Sequence, residues 1–132
     1  PHRAPMLLID KLINIVHLKS ATAIMNVKKD GFYVQGHFPG QPVMPGVLIV
    51  ESMAQASCFL SHNRGNFESD KIMLLSSIKS SKFINKVIPG DVLFIEVELL
   101  KYKLGTAFIK GIVKVNNRVV AKAEFMATVS SK

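Results

Sequence analysis

A chain of 132 residues, 48% hydrophobic and 20% charged, is long enough to bury a core as one domain, 1–132, and has the composition of neither a disordered nor a collagen-like polymer. Its net charge of +8 comes from 14 lysines and only 3 arginines, scattered along the chain. That argues against nucleic acid as a partner, since no zinc knuckle, basic helix or aromatic RNA-binding strand accompanies them and base recognition favours the forked guanidinium; what remains is a lysine-rich surface or an acidic protein partner.

The sequence opens at Pro1, so residues ahead of it are expected to have been removed or left out, and any targeting segment would lie outside it. The segments "KLINIVHL" and "SATAIMNV" are rich in β-branched residues and read as strands, and "KKDG" is a turn signal before "FYVQ". A loop follows, dense in glycine and proline: Gly36, Pro39, Gly40, Pro42, Pro45 and Gly46. Pro45-Gly46 is helix-start punctuation, and the run from Val47 to about Leu60 is apolar almost all round, which predicts a buried helix. Cys58 lies in it as a small hydrophobe, cannot form an internal disulfide, and fits a reducing compartment. Glu51 interrupts the most apolar window well short of the roughly 18 residues that a membrane span needs.

After polar "SHNRGNFESD" the period becomes that of strands. In "DVLFIEVELLKYK" Leu93, Ile95, Val97 and Leu99 alternate with Phe94, Glu96 and Glu98, a strand with one wet face. "TAFIKGIVKV" and "RVVAKAEFMATV" alternate likewise and are joined by Asn116-Asn117, residues that tolerate the positive φ of a tight hairpin. The expected fold is α+β: short strands, one buried helix, then long antiparallel strands curling around it.

Two side chains stand out chemically. His37 is carried by the stiffened loop, and positioning to about half an ångström is what an acid or base requires; His2, His17 and His62 have no such setting. Glu51 falls in the second helical turn among apolar neighbours, so its carboxyl must be paired, hydrogen-bonded or protonated, and a protonated, desolvated glutamic acid is a proton donor. The alternative for Glu51 is a structural carboxylate bound by backbone amides or a lysine and oriented by Gln55 one turn on. Gly46 leaves the first helical amides open to a ligand, as an oxyanion hole would be. Base, acid and oxyanion donors within so short a span suit removal of a proton α to a carbonyl with loss of a β-hydroxyl as water. His37 and Glu51 are too small a set for zinc, and no phosphate loop or dinucleotide fingerprint is present, so neither metal nor organic cofactor is expected.

"PHRAPMLLID", "GHFPGQPVMPGVLIVESMAQ" and "KFINKVIPGD" closely resemble the three landmark segments of the bacterial-type β-hydroxyacyl-acyl-carrier-protein dehydratases of type II fatty acid synthesis, in their order and spacing. The resemblance implies a hot-dog fold, cytoplasmic location, and conversion of (3R)-hydroxyacyl-acyl-carrier-protein to the trans-2-enoyl form in fatty acid, or lipid A, biosynthesis. It implies a homodimer whose active sites each take the histidine of one subunit and the glutamate of the other, commonly assembled as a trimer of dimers. By it His37 matches the catalytic histidine, Glu51 the catalytic acid and Gly46 the glycine whose amide holds the thioester carbonyl. Phe83 is then an acyl-tunnel residue, bracketed by Lys79, Lys82 and Lys86 as a docking patch for the acidic carrier protein. The related dehydratase-isomerase branch has aspartate where Glu51 stands. Ala4 and Met6 replace the usual aromatic residues, and Asn85 and Lys86 the usual arginine and proline, departures that bear on tunnel shape and docking. The rival expectations are an acyl-thioester hydrolase on the same scaffold and a non-enzymatic acyl or carrier-protein binding module.

Overall fold

The structure, a computed structural model, describes residues 8–30, 35–38, 41–61 and 71–131, without the side chains of 35–38, 41–42, 59, 61, 71–73 and 129–131. In chain order the elements are β1 (Lys11–Val16), β2 (Ser20–Asn26), β3 (Gln35–Phe38), β4 (Gln41–Val43), the helix α1 (Gly46–Ser57) with a terminal 3-10 turn (Cys58–Ser61), β5 (Lys71–Phe83), β6 (Val92–Lys103), β7 (Thr106–Val115) and β8 (Arg118–Ser131). Six strands form one antiparallel sheet in the order β1-β2-β6-β7-β8-β5, and β3 and β4 pair separately. The expected α+β plan of a long sheet around one helix is the plan observed. The landmark residues Ala4 and Met6, the expected strand segment at 32–34, and His2 and His62 lie outside the described residues.

The alternation in β6 follows the sequence reading. Leu93, Ile95 and Val97 are buried against the helix side while Phe94 and Glu98 face out, and on the outer face Glu96 meets Lys114 at 3.2 Å. Much of the neighbouring inner surface is made of small residues: Ala21 and Ala23 in β2, Ala107 in β7, Ala121, Ala123 and Ala127 in β8. Small side chains keep the sheet's inner face shallow, so a helix can lie close to it. At Gly111 the fit leaves no room, since an added Cβ would stand 2.5 Å from Sδ and 3.1 Å from Cγ of the fully buried Met53.

The helix is buried along most of its length, as its composition predicts. Its interior polar residues are accounted for locally: Ser52 Oγ donates to the Ile49 carbonyl at 2.6 Å and Ser57 Oγ to the Ala54 carbonyl at 2.7 Å, which removes the penalty of burying unpaired hydroxyls. It ends earlier than Leu60, tightening into the 3-10 turn that often closes a helix. One stripe departs from the all-round burial expected: Val47 is 67% exposed, and Gly46, Leu48 and Glu51 are half-buried.

Two other details differ from the sequence reading. The glycine- and proline-rich stretch, read as a loop, contains the β3–β4 ribbon. Pro42 is tolerated in β4 because each strand of a two-stranded ribbon has one edge that need not donate. The Asn116-Asn117 hairpin has the expected positive φ values, 51° and 66°, but the β6–β7 hairpin places Leu104 (φ 52°) beside Gly105 in the same geometry, with Leu104 92% exposed. Nothing about a leucine signals such a turn.

Gly111→Ala drives a methyl against the fully buried Met53, which must shift to admit it. The expected loss is about 1–3 kcal/mol, read as a lower urea midpoint with an unchanged slope.

Candidate active site

The site is assembled where three segments meet at the start of α1. Pro45 stands at the N-cap in an extended conformation (φ −62°, ψ 144°) and supplies no side-chain cap, and the first turn has no acidic residue. The Leu48 and Ile49 amides both point to the Pro45 carbonyl, at 3.1 and 3.2 Å. The amides of Gly46 and Val47 precede any intrahelical acceptor, so among the described residues the positive end of the helix has no side-chain cap from its N-cap residue and no carboxylate in its first turn to offset it. This end is held in place from outside, because the Met44 amide donates to the Val87 carbonyl at 2.8 Å and Val87 itself is buried. The turn that contains Val87 is pinned in its own right: Asp91 Oδ2 accepts from the Ile88 amide at 2.9 Å, and the Gly90 amide donates to Val27 at 2.9 Å.

Phe83, the last residue of β5, lies against this end. A Cβ built on Gly46 would stand 2.8 to 3.0 Å from three ring carbons of Phe83, so the ring covers the glycine's Cα face and glycine is the residue that admits it there. The ring is nonetheless 46% exposed. The sequence reading had Gly46 and Phe83 as separate features, and the structure brings them into contact.

Glu51 sits on the uncovered stripe of the helix, one turn beyond Val47. Its carboxyl is half-buried and accepts from Gln55 Nε2 at 3.2 Å. Gln55 is 1% exposed, and its Oε1 accepts from the Leu8 amide at 2.8 Å. The i to i+4 spacing of Glu51 and Gln55 was visible in the sequence; the Leu8 amide, 47 residues away, was not.

His37 lies in β3, the ribbon strand that precedes the helix, and its side chain is outside what is described. The β3–β4 register shifts between the pairs Gln35–Val43 and Phe38–Gln41, so His37 occupies an irregular stretch of the ribbon. Such irregularities are the means by which strands re-aim a side chain. Lys79, Lys82 and Lys86 are all exposed. Lys82 pairs across the strands with Lys122 on the outer surface of the sheet, and Lys86 lies in the connection after β5. His17 lies outside the site, in the turn between β1 and β2.

Substituting alanine at Gly46 puts a methyl where the Phe83 ring lies. A half-exposed ring can swing away, so the thermal midpoint is expected to fall only slightly while turnover falls at least tenfold, measured on the same preparation.

Residues 1–124 match the family model described as a FabA-like domain. The 3-hydroxyacyl-(acyl-carrier-protein) dehydratase FabZ of Clostridium tetani is 47% identical over 96% of this chain and 88% of its own length. That of Dinoroseobacter shibae is 45% identical over 98% of this chain and 82% of its own. Among solved structures, the dehydratase heterocomplex ApeI:P from Xenorhabdus doucetiae superposes with a TM-score of 0.70 at 18% identity, covering 92% of this chain and 96% of that one. The Streptococcus mutans protein smu.793, bound to acetyl CoA, does so with a TM-score of 0.70 at 16% identity, covering 100% and 98%. The fold is the hot-dog fold, and the chain belongs to the FabA-like family.

Proposed function

We propose that this protein is a hydro-lyase that dehydrates (3R)-hydroxyacyl-acyl-carrier-protein to the trans-2-enoyl form in fatty acid biosynthesis. The observation that carries the reading is the start of α1: an uncompensated positive helix end at Gly46, with a hydrogen-bonded carboxyl one turn further on and the histidine-bearing ribbon immediately before it. The dehydratases named above, similar over nearly the whole chain, support it.

In this reading the substrate carbonyl lies at the Gly46 amide, where charge building on its oxygen meets a fixed dipole instead of reorganising water. The His37 imidazole takes the proton from C2. The electron pair released becomes the C2–C3 double bond, and the C3–O bond breaks as Glu51 gives its proton to the departing hydroxyl, forming water. The cycle closes when the proton on the imidazolium returns to the Glu51 carboxylate through solvent. Phe83, packed on Gly46, lines the acyl path and keeps water from the carbonyl.

The reading includes a homodimer with shared sites. β5 is an edge strand of thirteen residues whose outer edge is unpaired among the described residues, with Leu74 and Ile78 exposed along it, and an edge of that kind is a template for pairing with another copy. Val47 and Glu51 on the uncovered stripe of the helix are then open to the histidine of the partner. A trimer of dimers is the further assembly proposed. The carrier protein docks on the lysines near Phe83, and no helix among the described residues is long and apolar enough to cross a membrane, in keeping with a cytoplasmic enzyme.

With a 3-hydroxybutyryl thioester, His37→Ala and Glu51→Gln are each expected to lower turnover by about a hundredfold or more, followed by the enoyl chromophore; release of free thiol in its place would mean hydrolysis. Mixing the two inactive chains with subunit exchange restores about a quarter of the parental activity if each site draws on both subunits, and none if each site lies within one chain. Charge reversal of Lys79, Lys82 and Lys86 to glutamate raises KM for carrier-bound substrate and leaves a small thioester analogue unaffected, a comparison made on one enzyme preparation.

A further inference from the structure

The β5–β6 connection touches the helix start twice. Phe83, where β5 ends, lays its ring on Gly46, and Val87, 1% exposed, takes the Met44 amide proton on its carbonyl at 2.8 Å. Between these contacts the Ile84 and Asn85 amides both point to the Val120 carbonyl, at 2.8 and 3.3 Å. The connection then closes in a turn with Pro89 and Gly90 at its corners, Gly90 at φ 96°, the order that a type II turn requires. Across it the Asp91 amide donates to the Ile88 carbonyl at 3.1 Å. The turn is also tied to the end of β2, since the Val27 amide donates to the Asp91 carbonyl and the Gly90 amide to the Val27 carbonyl, each at 2.9 Å.

The side chain of Asp91 adds a bond of another kind. Its Oδ2 accepts from the Ile88 amide at 2.9 Å. That N–H belongs to the same peptide unit as the Val87 carbonyl, and a trans peptide unit is a rigid plane with N–H and C=O on opposite sides. Holding the N–H therefore fixes the direction of the C=O, which is the acceptor for Met44. Only Pro45, its φ locked by the ring, separates Met44 from Gly46. The Asp91 bond is exposed, so it adds little to stability; what it controls is direction.

We propose that Asp91 is a positioning residue that aims the Gly46 amide, acting through the Val87–Ile88 peptide and the Met44 amide. The proposal rests on the dehydratase reading, in which the Gly46 amide receives the charge that builds on the thioester oxygen as the C2 proton leaves. A donor in that role has to be fixed before the charge appears. The bonds that run from β2 through Asp91 to Met44 fix it from outside the helix.

The test compares Asp91→Ala, Asp91→Asn and Gly90→Ala with the parent chain, measuring kcat, KM and thermal midpoint with a 3-hydroxybutyryl thioester. On the same preparations, infrared difference spectra give the carbonyl stretch of a bound, isotope-labelled butyryl thioester, which has no hydroxyl to lose. Alanine at position 91 removes the acceptor for Ile88. Its kcat is expected to fall about tenfold with KM changing less and the midpoint only slightly lower, and the carbonyl stretch to move toward its value in water. Asparagine keeps an acceptor oxygen in that place and restores both kcat and the stretch. Gly90→Ala strains the same turn at its positive φ, with no atom within 4 Å of the added methyl. It moves both readouts in the direction of Asp91→Ala, and carries the test where Asp91→Ala does not fold. A folded Asp91→Ala or Gly90→Ala chain whose carbonyl stretch stays parental overturns the proposal whatever its kcat, as does an asparagine variant as slow as the alanine one. If the parent itself forms no enoyl product, it is the dehydratase reading that has failed, while the carbonyl stretch still reports whether Asp91 aims the amide.

Discussion

A helix with no polar face cannot stop at the surface of a protein this small. The segment Gly46–Ser57 leaves the folded chain one option, to lay a sheet around it, and the rest of the architecture follows from that demand. Six antiparallel strands supply the sheet. The alanines of β2, β7 and β8 keep its inner face low, and Gly111 gives way to Met53. Burying each large apolar side chain contributes about 1.5–3 kcal/mol, so the sheet and helix are stable only together.

The same demand makes the few polar groups on the helix informative. Ser52 and Ser57 are answered by the preceding turn and need nothing else. Glu51 and Gln55 are bonded to each other. One is left half-buried on the stripe that the sheet does not cover, and the other reaches the amide of a residue on the chain entering β1. Polar side chains that survive in such a helix, held by groups brought from elsewhere, depart from packing alone, and it is there that the proposed function places its chemistry.

The element types could be read from the chain because their signals are local. Alternation in β6, the breakers Pro45 and Gly46, and Asn116-Asn117 each act within a few residues. What could not be read involves distance or a residue with no local signature. The Leu8–Gln55 bond spans 47 positions; Phe83 meets Gly46 only because β5 crosses to the far edge of the sheet and returns to the helix start. Leu104 at positive φ and the pairing of β3 with β4 across Pro42 override what those residue types ordinarily prefer. The candidate site was legible as a set of residues, while the contacts that orient them were legible only in three dimensions.

The unadorned start of the helix has one more implication. A serine or aspartate at position 45 would accept from a free amide of the first turn and add about 1 kcal/mol of stability, so a screen for heat resistance would favour it. Such a residue would take up the amides of Val47 or Leu48, beside the Gly46 amide that the dehydratase reading proposed above gives to the substrate's oxygen. On that reading, selection for robustness and selection for turnover pull in opposite directions at this one backbone position, where proline cannot cap.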